Sequence, residues 1–137
     1  MDVTPLVPHQ GRMCLLERVL DWDPQGIRIE TSSHRSTENP LRHDGRLKAV
    51  HLCEYGAQAM AAHGTLRAGT STGKARPGML VSLRSVALHC SYLDDLPGPL
   101  LIEATCLHAS ADSLQYSFRA SHAGTLLADG LAVVVLR

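Results

Sequence analysis

From Ile27 to Thr31 apolar and polar positions alternate, Ile-Arg-Ile-Glu-Thr, the period of a strand with one face in a core and the other in water. The run before it, Leu15 to Trp22, is parted from it by Asp23-Pro24-Gln25-Gly26, a strong turn signal. The two predict a β-hairpin, although Leu15–Trp22 taken alone also suits a helix. From Ser32 to Gly45 the chain turns polar, with breakers at Asn39-Pro40 and Asp44-Gly45, and a loop of that length suggests a binding role. Leu47 to His63 contains no proline and stops before Gly64, a good residue to follow a helix, so it predicts a helix. Its apolar positions run nearly all round. Ala49, Leu52, Cys53, Gly56, Ala59 and Met60 share one side, and Val50, Ala57 and Ala61 lie on another, the pattern of a buried helix. Gly56 in mid-helix costs about 1 kcal/mol against alanine, which suggests close approach of other backbone.

A Gly/Ser/Thr/Arg loop from Arg67 to Gly78 follows, and then the character changes to strands parted by turns. Met79 to Tyr92, Pro99 to His108, Ser113 to Ser121 and Leu126 to Leu136 are the runs. Leu93 to Gly98, Ala111-Asp112 and Ala123-Gly124 are the turns. Strands joined by short turns are antiparallel. One buried helix with about six antiparallel strands requires the sheet to curve round the helix, an α+β single domain over residues 1–137 with the hot-dog architecture. A single curved sheet keeps an open edge and an uncovered back, so edge-to-edge pairing into a dimer is expected.

At 137 residues the length suits one domain, and 45% hydrophobic residues supply one core. Aromatic residues make up only 4%, so that core is aliphatic. Thirteen basic and thirteen acidic residues cancel, which leaves no basic face for nucleic acid and no charge run for a membrane surface. No apolar run approaches the roughly 20 residues of a membrane span, and the N-terminus has no apolar signal region, so a cytoplasmic location is expected. The four cysteines, Cys14, Cys53, Cys90 and Cys106, stand singly in apolar stretches and read as reduced thiols.

Three polar residues interrupt the apolar helix, His51, Glu54 and Gln58, and their i, i+3, i+7 spacing aligns them on one stripe. A carboxylate on a buried helix loses hydration and should titrate high unless a partner compensates, which prepares it for general acid–base work near neutral pH. The plainer reading is a glutamate that faces solvent or is neutralised by an arginine. Gln58 can donate to the carboxylate and fix its rotamer. His51 can serve as a second proton-transfer group, unless it is only an exposed first-turn histidine. His9 follows Pro8 in a turn-like start, His43 lies in the long loop, and His63 closes the helix, where a cation suits the dipole. His34, His89, His108 and His122 read as ordinary strand or loop residues. Without HxH or HxxxH spacing no metal is expected. Without a GxSxG elbow or a phosphate-binding glycine motif, neither a nucleophilic serine nor a nucleotide cofactor is expected.

The opening Leu6-Val7-Pro8-His9-Gln10-Gly11-Arg12-Met13 and the Cys14 to Val19 run after it resemble the start of bacterial β-hydroxyacyl-carrier-protein dehydratases. Glu54-Tyr55-Gly56-Ala57-Gln58 resembles their E-x-x-A-Q helix, in which the acid is catalytic. Met79 to Val86 and Pro97-Gly98 with Leu100 to Ala104 look like their later strands. The chain is most similar to the aryl-polyene-type subgroup, whose helix Leu47 to Gln58 fits, with Lys48 where proline is usual. The G-H-F-P loop that carries the catalytic histidine of the fatty-acid enzymes is missing. Asn39 to Gly45 stands in its place, and His51, His43 and His9, in that order, are the candidates to substitute.

The resemblance implies dehydration of a 3-hydroxyacyl chain carried as a thioester on acyl carrier protein or coenzyme A, without a cofactor. Protonated Glu54 would be the acid and a histidine the base. Backbone N–H groups near Leu47 to Val50 would face the thioester oxygen, and the acyl chain would lie along the helix flank at the dimer interface. The phosphopantetheine arm would enter beside Arg42, Arg46, Lys74 and Arg76. The dimer would be homomeric or formed with a paralogue. A hot-dog thioesterase, or a non-catalytic acyl-binding subunit that pairs with a dehydratase paralogue, are the alternatives.

Overall fold

The computed structural model describes residues 1–69 and 78–136. Its first hairpin joins β1 (Arg18–Asp23) to β2 (Gly26–Thr31). Asp23 closes the turn itself, its Oδ1 accepting the backbone N–H groups of Gln25 at 2.8 Å and Gly26 at 2.9 Å. The helix α1 spans Leu52–Ala68, and β3 (Gly78–Leu88), β4 (Leu100–Ala109), β5 (Ser113–His122) and β6 (Thr125–Leu136) complete the chain. The strands form a 6-stranded antiparallel sheet in the order β1-β2-β4-β5-β6-β3. Alternation puts Ile27, Ile29, Leu100, Ile102, Ala104, Tyr116, Phe118 and Ala120 on the concave face, all buried. The long helix lies across them, as the hot-dog reading expects.

The helix is displaced from its predicted bounds at both ends. Leu47 and Ala49 are tied to a neighbouring segment like short strand residues: Leu93 N–H donates to Leu47 O at 2.8 Å, and Ala49 N–H to Ser91 O at 2.9 Å. That pairing keeps the backbone from coiling, so a 3₁₀ turn over Ala49–His51 leads in and α1 begins at Leu52. At the other end Gly64 does not stop the helix. The Thr65 hydroxyl donates to Leu6 O at 2.8 Å and to Ala61 O at 3.1 Å, and the chain leaves the helix at Gly69, whose φ is +74°. His63 is therefore not a solvated cation at the helix end. It is fully buried, with Nε2 2.8 Å from Asp23 O and Nδ1 2.7 Å from the Tyr116 hydroxyl. Since a carbonyl only accepts, Nε2 carries the proton and Nδ1 accepts from Tyr116. His34, expected to be an ordinary strand or loop residue, is equally buried, its Nε2 2.9 Å from Leu96 O.

One side of α1 is sealed. Leu52, Tyr55, Gly56, Ala59, Met60 and Ala62 are buried, and Gly56 meets the Phe118 ring so closely that a Cβ there would lie 2.7 Å from two ring carbons. The other side is not. Cys53, Glu54, Ala57 and Ala61 are half-buried, and Val50 is 50% exposed. Across from it, Leu80, Leu83 and Leu88 of β3 pair with the concave-facing β6 residues Val134, Ala132 and Ala128, and all three leucines are exposed. The helix packs over β2, β4 and β5, so among the described residues the β3 end of the concave face lacks a cover. A helix apolar all round is thus buried on one side only by the described residues.

Candidate functional site

The site is made by an irregular N-terminal segment pressed against α1. Val3, Val7, Leu15 and Leu16 are buried anchors, and the Thr65 bond holds Leu6. Leu15 is gripped at both backbone groups. Its N–H donates to Gln58 Oε1 at 2.9 Å, and its carbonyl accepts from the Thr31 and Ser33 hydroxyls, each at 2.6 Å. Gln58 is fully buried, and its Nε2 donates to Met13 O at 2.7 Å. Tyr55 extends the lattice: its hydroxyl donates to Ser33 Oγ at 2.8 Å and accepts from Asn39 Nδ2 at 3.1 Å. Burial pushes the Tyr55 phenol up, so it stays protonated and bonded.

Suspended between the ties at Leu6 and Met13, His9 brings its Nε2 to 3.1 Å from Glu54 Oε1. Gln58 Nε2 reaches the same oxygen at 3.3 Å. Glu54 is 36% exposed and His9 29%, so the carboxylate lies at a rim, not sunk in the core as the all-apolar helix predicts. His9 Nδ1 is buried and has no hydrogen-bond partner among the described residues.

The other candidate histidines make no hydrogen bond or ion pair with Glu54 or His9 among the described residues. His51 stands at the helix start, half-buried, with no side-chain hydrogen bond among the described residues. His43 is 83% exposed in the long loop and pairs with Asp44 at 3.4 Å. Of the backbone N–H groups expected to face a thioester oxygen, two are already taken: Leu47 donates to Asp94 Oδ1 at 2.9 Å, and Ala49 to Ser91 O. Lys48 and Val50 remain, and both line a groove of about 350 Å³ with Leu88, Cys90 and Tyr92. Val50 precedes Glu54 by four residues, and neither Glu54 nor His9 is among the groove's lining residues.

Arg42 donates to Gly45 O and His34 O, and Arg46 pairs with Asp94 at 2.8 Å while lying 4.0 Å over the Tyr92 ring. Both are committed to their own chain. Lys74 and Arg76 lie outside the described residues. Lys48, exposed at the groove, has no ion pair among the described residues. Nothing local in the sequence marks His9, the last of the three candidate histidines; only the resemblance of the opening segment points to it. Among the described residues no group of three His, Cys, Asp or Glu side chains is placed to hold a metal ion, and no helix is long and apolar enough to cross a membrane.

Residues 1–136 match the family model ApeP-like, described as ApeP dehydratase. The chain belongs to the ApeP-like dehydratase family. As an ApeP-like protein it is a dehydratase-type lyase. No curated protein matches the chain in sequence. Among solved structures it is similar to a chain of the dehydratase heterocomplex ApeI:P from Xenorhabdus doucetiae, with a TM-score of 0.88, 21% identity, and 100% of this chain and 91% of that one covered. It is also similar to AziG of S. sahachiroi, at a TM-score of 0.66 and 19% identity over 87% of this chain and 89% of that one. A hypothetical thioesterase with coenzyme A from Streptococcus pneumoniae TIGR4 gives 0.63 and 13%, over 88% and 84%. At these identities the ApeP-like chain shares their fold.

Proposed function

We propose that this chain eliminates water from a 3-hydroxyacyl group held as a thioester on acyl carrier protein, in a fatty-acid-like or polyene-forming pathway, with Glu54 and His9 as its polar centre. The contact between Glu54 and His9 at 3.1 Å carries the reading. The thioester carbonyl acidifies the Cα proton. Loss of that proton and of the Cβ hydroxyl, protonated as it leaves, gives the enoyl thioester and water. The N–H groups of Lys48 and Val50, without acceptors among the described residues, are candidates to receive the developing enolate oxygen, and the Lys48 ammonium is a candidate for the phosphate of the pantetheine arm. Gln58 holds the segment that carries His9.

The uncovered β3 row and the open flank of α1 support assembly with a second hot-dog chain along the β3 edge, which would roof the groove. An edge strand with exposed apolar residues on it is rarely left unpaired. A paralogue is a natural partner, since the similar ApeI:P structure is a heterocomplex. Incubation of the chain, alone and with its co-purifying partner, with a 3-hydroxyacyl carrier protein tests the function by mass. Loss of one water is expected. Release of the free acid would make it a thioesterase, and an unchanged acyl group would make it a binding subunit.

A further inference from the structure

Hydrogen bonds around Glu54 divide the work between it and His9. The Gln58 amide has one possible orientation: Oε1 accepts from Leu15 N–H, and Nε2 donates to Met13 O. A flipped amide would set oxygen against oxygen and N–H against N–H. Gln58 Nε2 is therefore a donor toward Glu54 Oε1. His9 Nε2 meets the same oxygen. For His9 to act as a base through Nε2, its resting proton would sit on Nδ1. That atom is buried by this chain and has no hydrogen-bond partner among the described residues. The imidazolium would leave the same N–H without an acceptor, and buried N–H groups without one are rare. With the proton on Nε2 instead, Nδ1 keeps only a lone pair, and the imidazole gains a charge-assisted bond to the carboxylate.

Oε1 then accepts two N–H groups, from His9 and Gln58. Oε2 has no partner among the described residues and belongs to a half-exposed side chain. We infer, on the dehydratase reading above, that His9 is a positioning residue and that Glu54 alone moves both protons, through Oε2. The Cα–H bond breaks to Oε2, and its electron pair becomes the enolate and then the Cα–Cβ double bond. As the Cβ–O bond breaks, the same proton passes from Oε2 to the departing hydroxyl. Water and the enoyl thioester leave, and Glu54 is again a carboxylate. This places the histidine outside the base role that the family resemblance implied for it. Both proton positions then lie on one face of the substrate, which makes the elimination syn.

The test compares His9→Gln with His9→Ala in the dehydration assay, using the chain with its co-purifying partner and circular dichroism to confirm the fold. A glutamine amide places an N–H close to where His9 Nε2 stands but cannot act as a base. His9→Gln is expected to keep kcat within about tenfold of wild type and to exceed His9→Ala at least tenfold. A base would instead lose about a hundredfold or more in both variants. Nitrogen-15 spectra of the imidazoles, with His9 assigned by its loss in the variants, read the tautomer without substrate. Protonation on Nε2 is expected. Protonation on Nδ1, or a His9→Gln enzyme as impaired as His9→Ala, overturns the assignment and leaves the dehydratase reading standing. A wild-type chain that releases no water from any 3-hydroxyacyl thioester, alone or with its partner, overturns both.

Discussion

Gly56→Ala separates two opposed effects in a single methyl group. In an isolated helix alanine is worth about 1 kcal/mol over glycine, so local propensity alone predicts a more stable protein. The structure predicts the reverse. An added Cβ would stand 2.7 Å from Phe118 Cγ and Cδ2 and 3.1 Å from its Cβ, the base of the side chain and not a flexible tip. Nor can the ring slide away, because its far edge already abuts Gly130, where a Cβ would be 2.7 Å from Cε1. Overpacking of a filled core costs about 1–3 kcal/mol, and a ring wedged between two glycines belongs at the upper end. Offset by the propensity gain, the net loss is about 1–2 kcal/mol, or a fall of about 3–8 °C in Tm for a domain of this size. Urea midpoints and melts at matched protein concentration measure it, the concentration being held because assembly contributes to stability. Gly56→Ala with Phe118→Leu should recover about 1 kcal/mol relative to the sum of the single changes. A Gly56→Ala protein with a raised midpoint would show that helix and sheet do not approach as described.

Glu54→Gln should preserve the fold, since the carboxylate is at a rim, and cut dehydration by about a hundredfold or more, read as substrate and product masses. Gln58→Ala strands the Leu15 N–H and Met13 carbonyl, so it should cost about 2–4 kcal/mol in urea unfolding and lower activity by loosening the segment that carries His9. Burial holds His63 and His34 below the ordinary 6.5, so below that value the unfolded chain takes up protons that the folded chain refuses. Stability should therefore be full above about pH 6.5 and fall as pH drops below it, and His63→Gln should flatten the slope of urea midpoint against pH. Val81, 52% exposed on β3, is the place to probe assembly: Val81→Lys should reduce the particle mass in light scattering, and an unchanged mass would move the interface off that edge.

The alternating runs and the turns between them were enough to predict the antiparallel strands, because side-chain period and turn chemistry are local properties of the chain. The one apolar helix and its Glu54 to Gln58 stripe were legible for the same reason, and with them the hot-dog fold. Helix ends were not. Leu47 and Ala49 are withheld from α1 by hydrogen bonds to Ser91 and Leu93, more than forty residues away, and no local propensity encodes that pairing. The burial of His63 depended likewise on β5 delivering Tyr116 beside it. His9 is the clearest case: forty-five residues separate it from Glu54, and tertiary contacts, among them the ties of Leu6 to Thr65 and of Met13 and Leu15 to Gln58, place them together. The reach of the sequence ended where burial had to be known. A glutamate on an apolar helix looks desolvated in one dimension, but its hydration depends on which flank the sheet covers, and here the curved sheet covers only the other one.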